Sequence, residues 1–229
     1  MSKILLDKTT NLNEVTYLKI LTKFDKDNYY KKISYQQWNS SFWQLFFISN
    51  LQPESILEIG VGDKIVADIT KKLGYDIKTC DISPKLNPDY VADIRSLPFE
   101  KESFDMVACF EILEHIGYEH FTNVLKSLHN ITRKHVILSL PQTRKFFSFK
   151  CHIPWMRKNK YLTIFNDYPR YPQPMKPSGR EHFWEIGIQR FPLSKIIRDI
   201  EQSGFNILIN KSIPENIYHR FFVLEKRIP

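Results

Sequence analysis

The chain has 229 residues, 42% apolar and 25% charged, with 33 Lys/Arg against 25 Asp/Glu for a net charge of +8. This length suits one ordinary to large domain with an adequate core, and the composition excludes a disordered or fibrous chain. No run approaches the roughly 20 apolar residues that cross a bilayer, residues 1–20 show no cleavable signal pattern, and Cys80, Cys109 and Cys151 are too dispersed for a metal knuckle, which predicts reduced thiols in a cytoplasmic protein.

Residues 1–52 are expected to form a helical N-terminal cap, with most of its aromatic positions Tyr29, Tyr30, Tyr35, Trp38, Phe42, Trp43, Phe46 and Phe47 packing on the domain. From Pro53 onward strand-like and helix-like blocks alternate, and residues 53–229 are taken as the main domain. Ser55–Gly60 reads as a strand, and residues 64–73 place Ile65, Ile69 and Leu73 at helical spacing before Gly74. Ile77–Ile82 and Asp89–Asp93 read as the second and third strands, and Ser103–Phe110 as a buried fourth. Residues 118–130 form an amphipathic helix through Phe121, Val124, Leu125 and Leu128, and His135–Leu140 is a fifth strand. After an irregular region, Pro192–Ser203 reads as a helix, and Phe205–Asn210 and Tyr218–Leu224 as two strands with no helix between them. Alternation of this kind means an α/β, doubly wound, mostly parallel seven-stranded sheet with an antiparallel last strand, and ligands of such sheets bind beyond the strands' carboxyl ends.

The region between the fifth strand and the last helix, about 142–187, is an insertion. Its residues 144–180 carry nine Lys/Arg against the single acid Asp167, a local excess equal to the whole chain's, with five of the thirteen prolines. A long basic, proline-rich insertion in a compact domain is expected to be a lid or binding loop; a solvated charged face is the alternative.

The first strand ends in "ILEIGVGDKIV" (56–66), two glycines one residue apart in a chain with only seven. Such a pair marks backbone that turns tightly or lies against a ligand. The P-loop pattern G-x-x-x-x-G-K-[ST] is absent, and the third glycine of a dinucleotide fingerprint is replaced by Ile65. Asp81 follows Gly60 by 21 residues, the interval of a ribose-binding acid at the end of a second strand.

The order Glu58-x-Gly60-x-Gly62, then Asp81-Ile82, then Asp93-Ile94 resembles the class I S-adenosylmethionine-dependent methyltransferases. The block "DIRSLPFEKESFDMVACFEILEHI" (93–116) is similar to that of the subgroup with the ubiquinone-type enzymes, at Phe99, Phe104-Asp105, Glu111, Glu114 and His115. The similarity spans roughly residues 55–141, with Lys64 standing where many members have a third small residue. It implies a Rossmann-like fold and S-adenosyl-L-methionine as cofactor. It further implies that Glu58, Gly60 and Gly62 shape the methionine side, that Asp81 and Ile82 border the ribose, and that Asp93 and the Ile94 backbone take the adenine, with Phe110 closing the site. A carboxylate suits a ribose diol because it offers acceptors to both hydroxyls.

Glu111 and His115 follow the fourth strand and are candidate bases, His115 for its near-neutral ordinary pKa of about 6.5; ordering of the loop is the alternative for His115. "GREHFWEIG" (179–187) is similar to segments after the fifth strand in some bacterial members. Here Arg180 could pair with an anionic group of the acceptor, His182 could act as base, and Trp184 could wall the pocket; alternatively Trp184 and Ile186 are core anchors. His219 reads as a structural strand residue. Because Phe110-Glu111-Ile112 offers no Asp/Asn cluster, no metal is expected. The basic insertion favours a small or glycan-type anionic acceptor methylated on oxygen or nitrogen. RNA, an anionic membrane surface with a lipid-linked substrate, and an inactive cofactor-binding module remain alternatives.

Overall fold

A computed structural model describes residues 34–143, 145–151, 160–166, 182–188, 190–213 and 215–228, with backbone pairing alone for 145–151 and 160–166. Helix α1 (Tyr35–Leu51) opens with a capping box: Ser34 Oγ accepts from the Gln37 amide and the Gln37 side chain accepts from the Ser34 amide. It ends at Gln52, left-handed at φ 46°, ahead of Pro53. This helix buries Ser40, Gln44, Phe47 and Ile48, with Phe47 set 5.5 Å from Phe221. The opposite face leaves Tyr35, Trp38, Phe42 and Phe46 exposed. The expectation that these aromatics pack on the domain therefore fails for four of them, because one helix face meets the sheet and they lie on the other. Tyr29 and Tyr30 lie outside the described residues.

The sheet then follows in chain order: β1 (Ser55–Ile59), α2 (Ile65–Lys72), β2 (Asp76–Asp81), β3 (Tyr90–Val91), β4 (Phe104–Phe110), α3 (Phe121–Ile131) and β5 (Thr132–Pro141). Beyond the insertion come α4 (Leu193–Gln202), β8 (Phe205–Ile213) and β9 (Asn216–Lys226), the insertion itself holding β6 (Lys145–Cys151) and β7 (Lys160–Asn166). The spatial order is β3-β2-β1-β4-β5-β9-β8. Strands β1 to β5 pair in parallel, and β9, the last in the chain, runs antiparallel to both β5 and β8.

Every residue of β4 is buried, as a central parallel strand covered on both faces requires. Its alternate residues feed two cores. Phe104, Val107 and Cys109 join Phe121, Leu125 and Leu128 of α3 and Ile196 and Ile200 of α4, while Met106, Ala108 and Phe110 join Phe47 and Ile48 of α1 and Val66 and Ala67 of α2. Cys80 and Cys109 are buried free thiols. No helix among the described residues is long and apolar enough to cross a membrane.

Register sets the functional rim. Ile59 lies beside Cys80 and Cys109, and Phe110 beside Ser139, so Gly60, Asp81 and Glu111 emerge together at the carboxyl ends of β1, β2 and β4. The insertion starts and ends at this rim: Ile186 donates its amide to Pro141 O, and Thr143 donates to Ile186 O. Within it, β6 and β7 pair as an antiparallel hairpin, where the sequence suggested irregular chain. Arg180 and the remainder of the basic segment lie outside the described residues.

Candidate active site

The glycine loop is built for close approach. Gly60 sits at φ +83°, where a Cβ would also fall 2.1 Å from Ile112 Cδ1, so both backbone and space require glycine. Gly62 has φ +47° and a Cβ there would meet nothing within 4 Å, leaving its backbone open on that side. Asp81 closes the loop from β2: its Oδ2 accepts from the Val61 amide (3.0 Å) and its Oδ1 from the Ser83 amide (2.8 Å). Burial pushes its pKa up, against those amides and Lys64, which pull it down. A carboxylate oxygen has two lone pairs, so each oxygen keeps one for a further donor. Asp93 is held by Arg95, whose Nη2 lies 2.6 Å from Oδ2, so an adenine contact there would share the carboxylate with a guanidinium.

Glu58 is buried in β1 with Oε2 lacking a hydrogen-bond partner; burial raises its pKa to about 8, with the charges of Asp63 and Asp68 adding to the shift. Ile82 packs against the core, and Ile94 and Phe110 are buried in it, Phe110 on the α1 side. Lys64, at the position of the absent third small residue, is itself left-handed (φ +64°), and its Nζ donates to Asn87 O. The backbone at that position thus has the shape that glycine takes most easily.

Beside this loop, around the ends of β4 and β5, lies a polar cluster in which Glu114, His182 and Glu185 are buried and Glu111, His115 and His219 half-buried. Glu111 occupies the left-handed region at φ +53°, and its amide donates to Ser139 O (3.1 Å). A non-glycine residue held there stores strain of about 1–3 kcal/mol, and such strain concentrates at functional sites. Burial raises the Glu111 pKa to about 8, an effect that the nearby Ser139 hydroxyl offsets only in part and Glu185 reinforces. Its Oε2 lies 3.4 Å from His219 Nε2, and His219 Nδ1 lies 2.7 Å from Ser40 Oγ of α1. Burial, with His182 nearby, lowers the His219 pKa to about 4, so that ring is neutral at physiological pH.

Glu114 is fully buried, and neither carboxylate oxygen makes a hydrogen bond. Its Oε1 lies 3.9 Å from His182 Nε2 and 4.0 Å from His115 Nε2. Burial first, and then the charge of Glu111, push its pKa well up. The His115 and His182 rings meet edge to face, with centroids 4.8 Å apart.

Glu185 orients His182. One oxygen lies 2.8 Å from His182 Nδ1 and accepts from Tyr218 Oη at 2.7 Å, and the other accepts from Thr143. Burial alone would raise the Glu185 pKa, but these three hydrogen bonds overcome it and hold the group below the usual carboxylate range. An ionised Glu185 keeps the proton of His182 on Nδ1, which leaves the Nε2 lone pair facing Glu114.

Trp184 does not wall a pocket. It is fully buried, set edge-on against Tyr118 and Phe121, and its Nε1 donates to Leu113 O and Ile116 O at 3.1 Å each. With Ile186 buried beside it, it anchors the end of the insertion under the 113–116 turn, because an indole satisfied by two carbonyls gains most from the core.

The structure sets His115 beside His182 and Glu111 beside His219, with Glu114, Glu185 and Tyr218 in the same cluster. Glu185 had a local signal, three residues after His182 in the same motif. Tyr218 and His219 had none, since only the antiparallel pairing of β9 with β5, which sets His219 beside Pro141, carries them to the rim.

The fold and the rim define a Rossmann-like domain with a ligand loop at the end of its first strand. Residues 57–140 match the sequence model of the family described as "Methyltransferase domain". A search of curated protein sequences finds no match. Solved structures share the fold across almost the whole chain. The 1,6-didemethyltoxoflavin-N1-methyltransferase of Burkholderia thailandensis, with bound S-adenosylhomocysteine, superposes with a TM-score of 0.64 at 10% identity, over 97% of this chain and 94% of that one. Magnesium protoporphyrin IX methyltransferase of Synechocystis, with bound S-adenosylmethionine, gives 0.60 at 13% identity over 96% and 100%. An S-adenosylmethionine-dependent methyltransferase of Mesorhizobium loti gives 0.56 at 13% identity over 81% and 98%. The chain thus shares the fold of S-adenosylmethionine-dependent methyltransferases and carries, over residues 57–140, a segment similar to the methyltransferase-domain family.

Proposed function

We propose that the enzyme methylates an oxygen or nitrogen of a small or saccharide-type acceptor that carries an anionic group. The observation that carries this reading is the polar cluster of Glu111, His115, His182 and Tyr218, with His182 buried and the other three partly open to solvent, set one strand away from the glycine loop. In support, the toxoflavin and porphyrin methyltransferases with the same fold are named for small molecules. The anionic character rests on the basic stretch 144–180, including Arg180.

In this proposal S-adenosylmethionine supplies a methyl group already activated on a sulfonium. The residues present suit it: open backbone at Gly62, spare lone pairs on Asp81, and a buried Glu58 whose Oε2 lacks a partner that a cationic amino group would supply. Gly60, Gly62 and Glu58 hold the amino-acid end, Asp81 with Ile82 the ribose diol, and Asp93 with Ile94 the adenine. Phe110 supports this wall from the core. The remaining work is alignment and removal of one proton. Glu111 is the proton acceptor, since its strained backbone aims it at the rim and its raised pKa suits proton uptake near neutrality. His182 and His115 border the acceptor.

Calorimetric titration with S-adenosylmethionine, S-adenosylhomocysteine and NAD tests the cofactor half, with micromolar binding of the first two and none of the third expected. A screen of anionic saccharides and phosphorylated amines by mass spectrometry then tests the acceptor half. Methylation confined to RNA would overturn the small-acceptor reading, and no methyl transfer to any acceptor would favour an inactive binding module.

A further inference from the structure

Glu114, His115 and His182 each bring one ligand atom within 4.8 Å of the other two. We propose that these three residues form a binding site for a divalent transition-metal ion, with Glu185 orienting one ligand from behind. The residues directly after β4 supply no Asp/Asn cluster, the ground on which no metal is expected from sequence. The second imidazole comes instead from beyond the insertion, and only the fold brings it to the 113–115 turn.

Two observations point to an ion. Glu114 is fully buried with both oxygens lacking hydrogen bonds, a state that is costly for a carboxylate unless a cation compensates it. His182 hands its Nδ1 to a carboxylate that is itself held by Thr143 and Tyr218. That is the arrangement by which a second carboxylate fixes the tautomer of a metal-ligating histidine and raises its basicity.

The donor set also narrows the ion. One carboxylate and two imidazoles suit manganese, iron, cobalt or zinc better than magnesium or calcium, which prefer oxygen throughout. Donors about 2.1 Å from a shared ion stand roughly 3–3.5 Å apart. The observed 3.9 Å from His182 Nε2 and 4.0 Å from His115 Nε2 to Glu114 Oε1 therefore close by small side-chain movements.

Three protein ligands leave coordination positions open, as in catalytic rather than structural metal sites. The 113–115 turn follows Glu111 directly, and Ile112 between them packs against Gly60 of the glycine loop. Resting on the methyltransferase reading, the ion would select an acceptor that presents oxygen ligands and would lower the pKa of its hydroxyl. It thereby narrows the methylated atom to oxygen.

The test uses the full chain, stripped by a chelator and titrated with Mn2+ while free ion is followed by electron paramagnetic resonance. One ion per chain is expected, with Glu114→Gln and His182→Ala each weakening it more than about 10-fold. Glu185→Gln, which touches no ion, should weaken it by about 10- to 100-fold. Calorimetric binding of S-adenosylhomocysteine without metal shows that each variant is folded. Added Co2+ should give the wild-type chain the visible bands of an ion with protein ligands, a readout that needs no variant. Failure of the wild type to bind Mn2+ saturably, a Co2+ spectrum of the hydrated ion only, or undiminished binding in folded Glu114→Gln and His182→Ala would overturn the site. S-adenosylhomocysteine binding without Mn2+ binding removes the ion and leaves the methyltransferase; the reverse result keeps the ion and removes its role in methyl transfer.

Discussion

Single residues at the rim have separable jobs. Asp81 both accepts the ribose in the proposed site and ties the Val61 and Ser83 amides, so Asp81→Ala should weaken S-adenosylhomocysteine binding by about 1.5–3 kcal/mol in calorimetry. Unchanged affinity would remove the ribose from this position. Lys64 adopts φ +64°, a conformation that costs a side-chain-bearing residue about 1–2 kcal/mol. Lys64→Gly loses one exposed hydrogen bond to Asn87 O and should still stabilise the fold by about 0.5–1 kcal/mol in urea unfolding. Glu58 sets a pH dependence. Its pKa rises from an ordinary 4.5 to about 8 in the fold. Between those values the native state keeps a proton that the unfolded chain has released, so stability falls as pH rises through this window. Glu58→Gln should flatten that decline when urea midpoints are compared at the two ends of the window. An identical slope in the variant would mean that Glu58 titrates normally.

At the scale of elements, the helices and parallel strands follow the periodicity of their own residues. The buried positions of α3 are the Phe121, Val124, Leu125 and Leu128 that the spacing picks out, because a helix on a sheet has one inner face. The insertion was less legible. Its proline and basic content suggests open chain, yet β6 and β7 pair over seven residues, since hairpin pairing depends on a partner strand and not on one segment's composition. Trp184 shows the same limit. An aromatic beside His182 reads equally as wall or anchor, and the choice depends on whether Leu113 O and Ile116 O are there to accept its N–H. As an anchor, Trp184→Ala should cost about 3–5 kcal/mol of stability, seen as a lowered urea midpoint. A wild-type midpoint together with a raised acceptor KM would restore it to the pocket wall.

At the scale of the whole molecule, the charge of +8 is concentrated in the basic stretch after β5, while the cluster beneath the rim is acidic. An anionic acceptor drawn by that stretch should show a KM that rises with ionic strength over the range where the Debye length falls from about 30 to 8 Å, and a KM indifferent to salt would argue for a solvated face. The sequence by itself determined the alternating architecture, the glycine loop and the acids at the ends of β2 and β3, because those signals are local: periodicity over a few residues and fixed intervals along one chain. Only the tertiary structure decided the company of Glu114. His182 and Glu185 arrive from beyond the insertion, Tyr218 and His219 from an antiparallel strand, and Ser40 from α1. Their contacts depend on strand order and register, and a carboxylate's lack of hydrogen-bond partners exists only once every element that could supply one is in place.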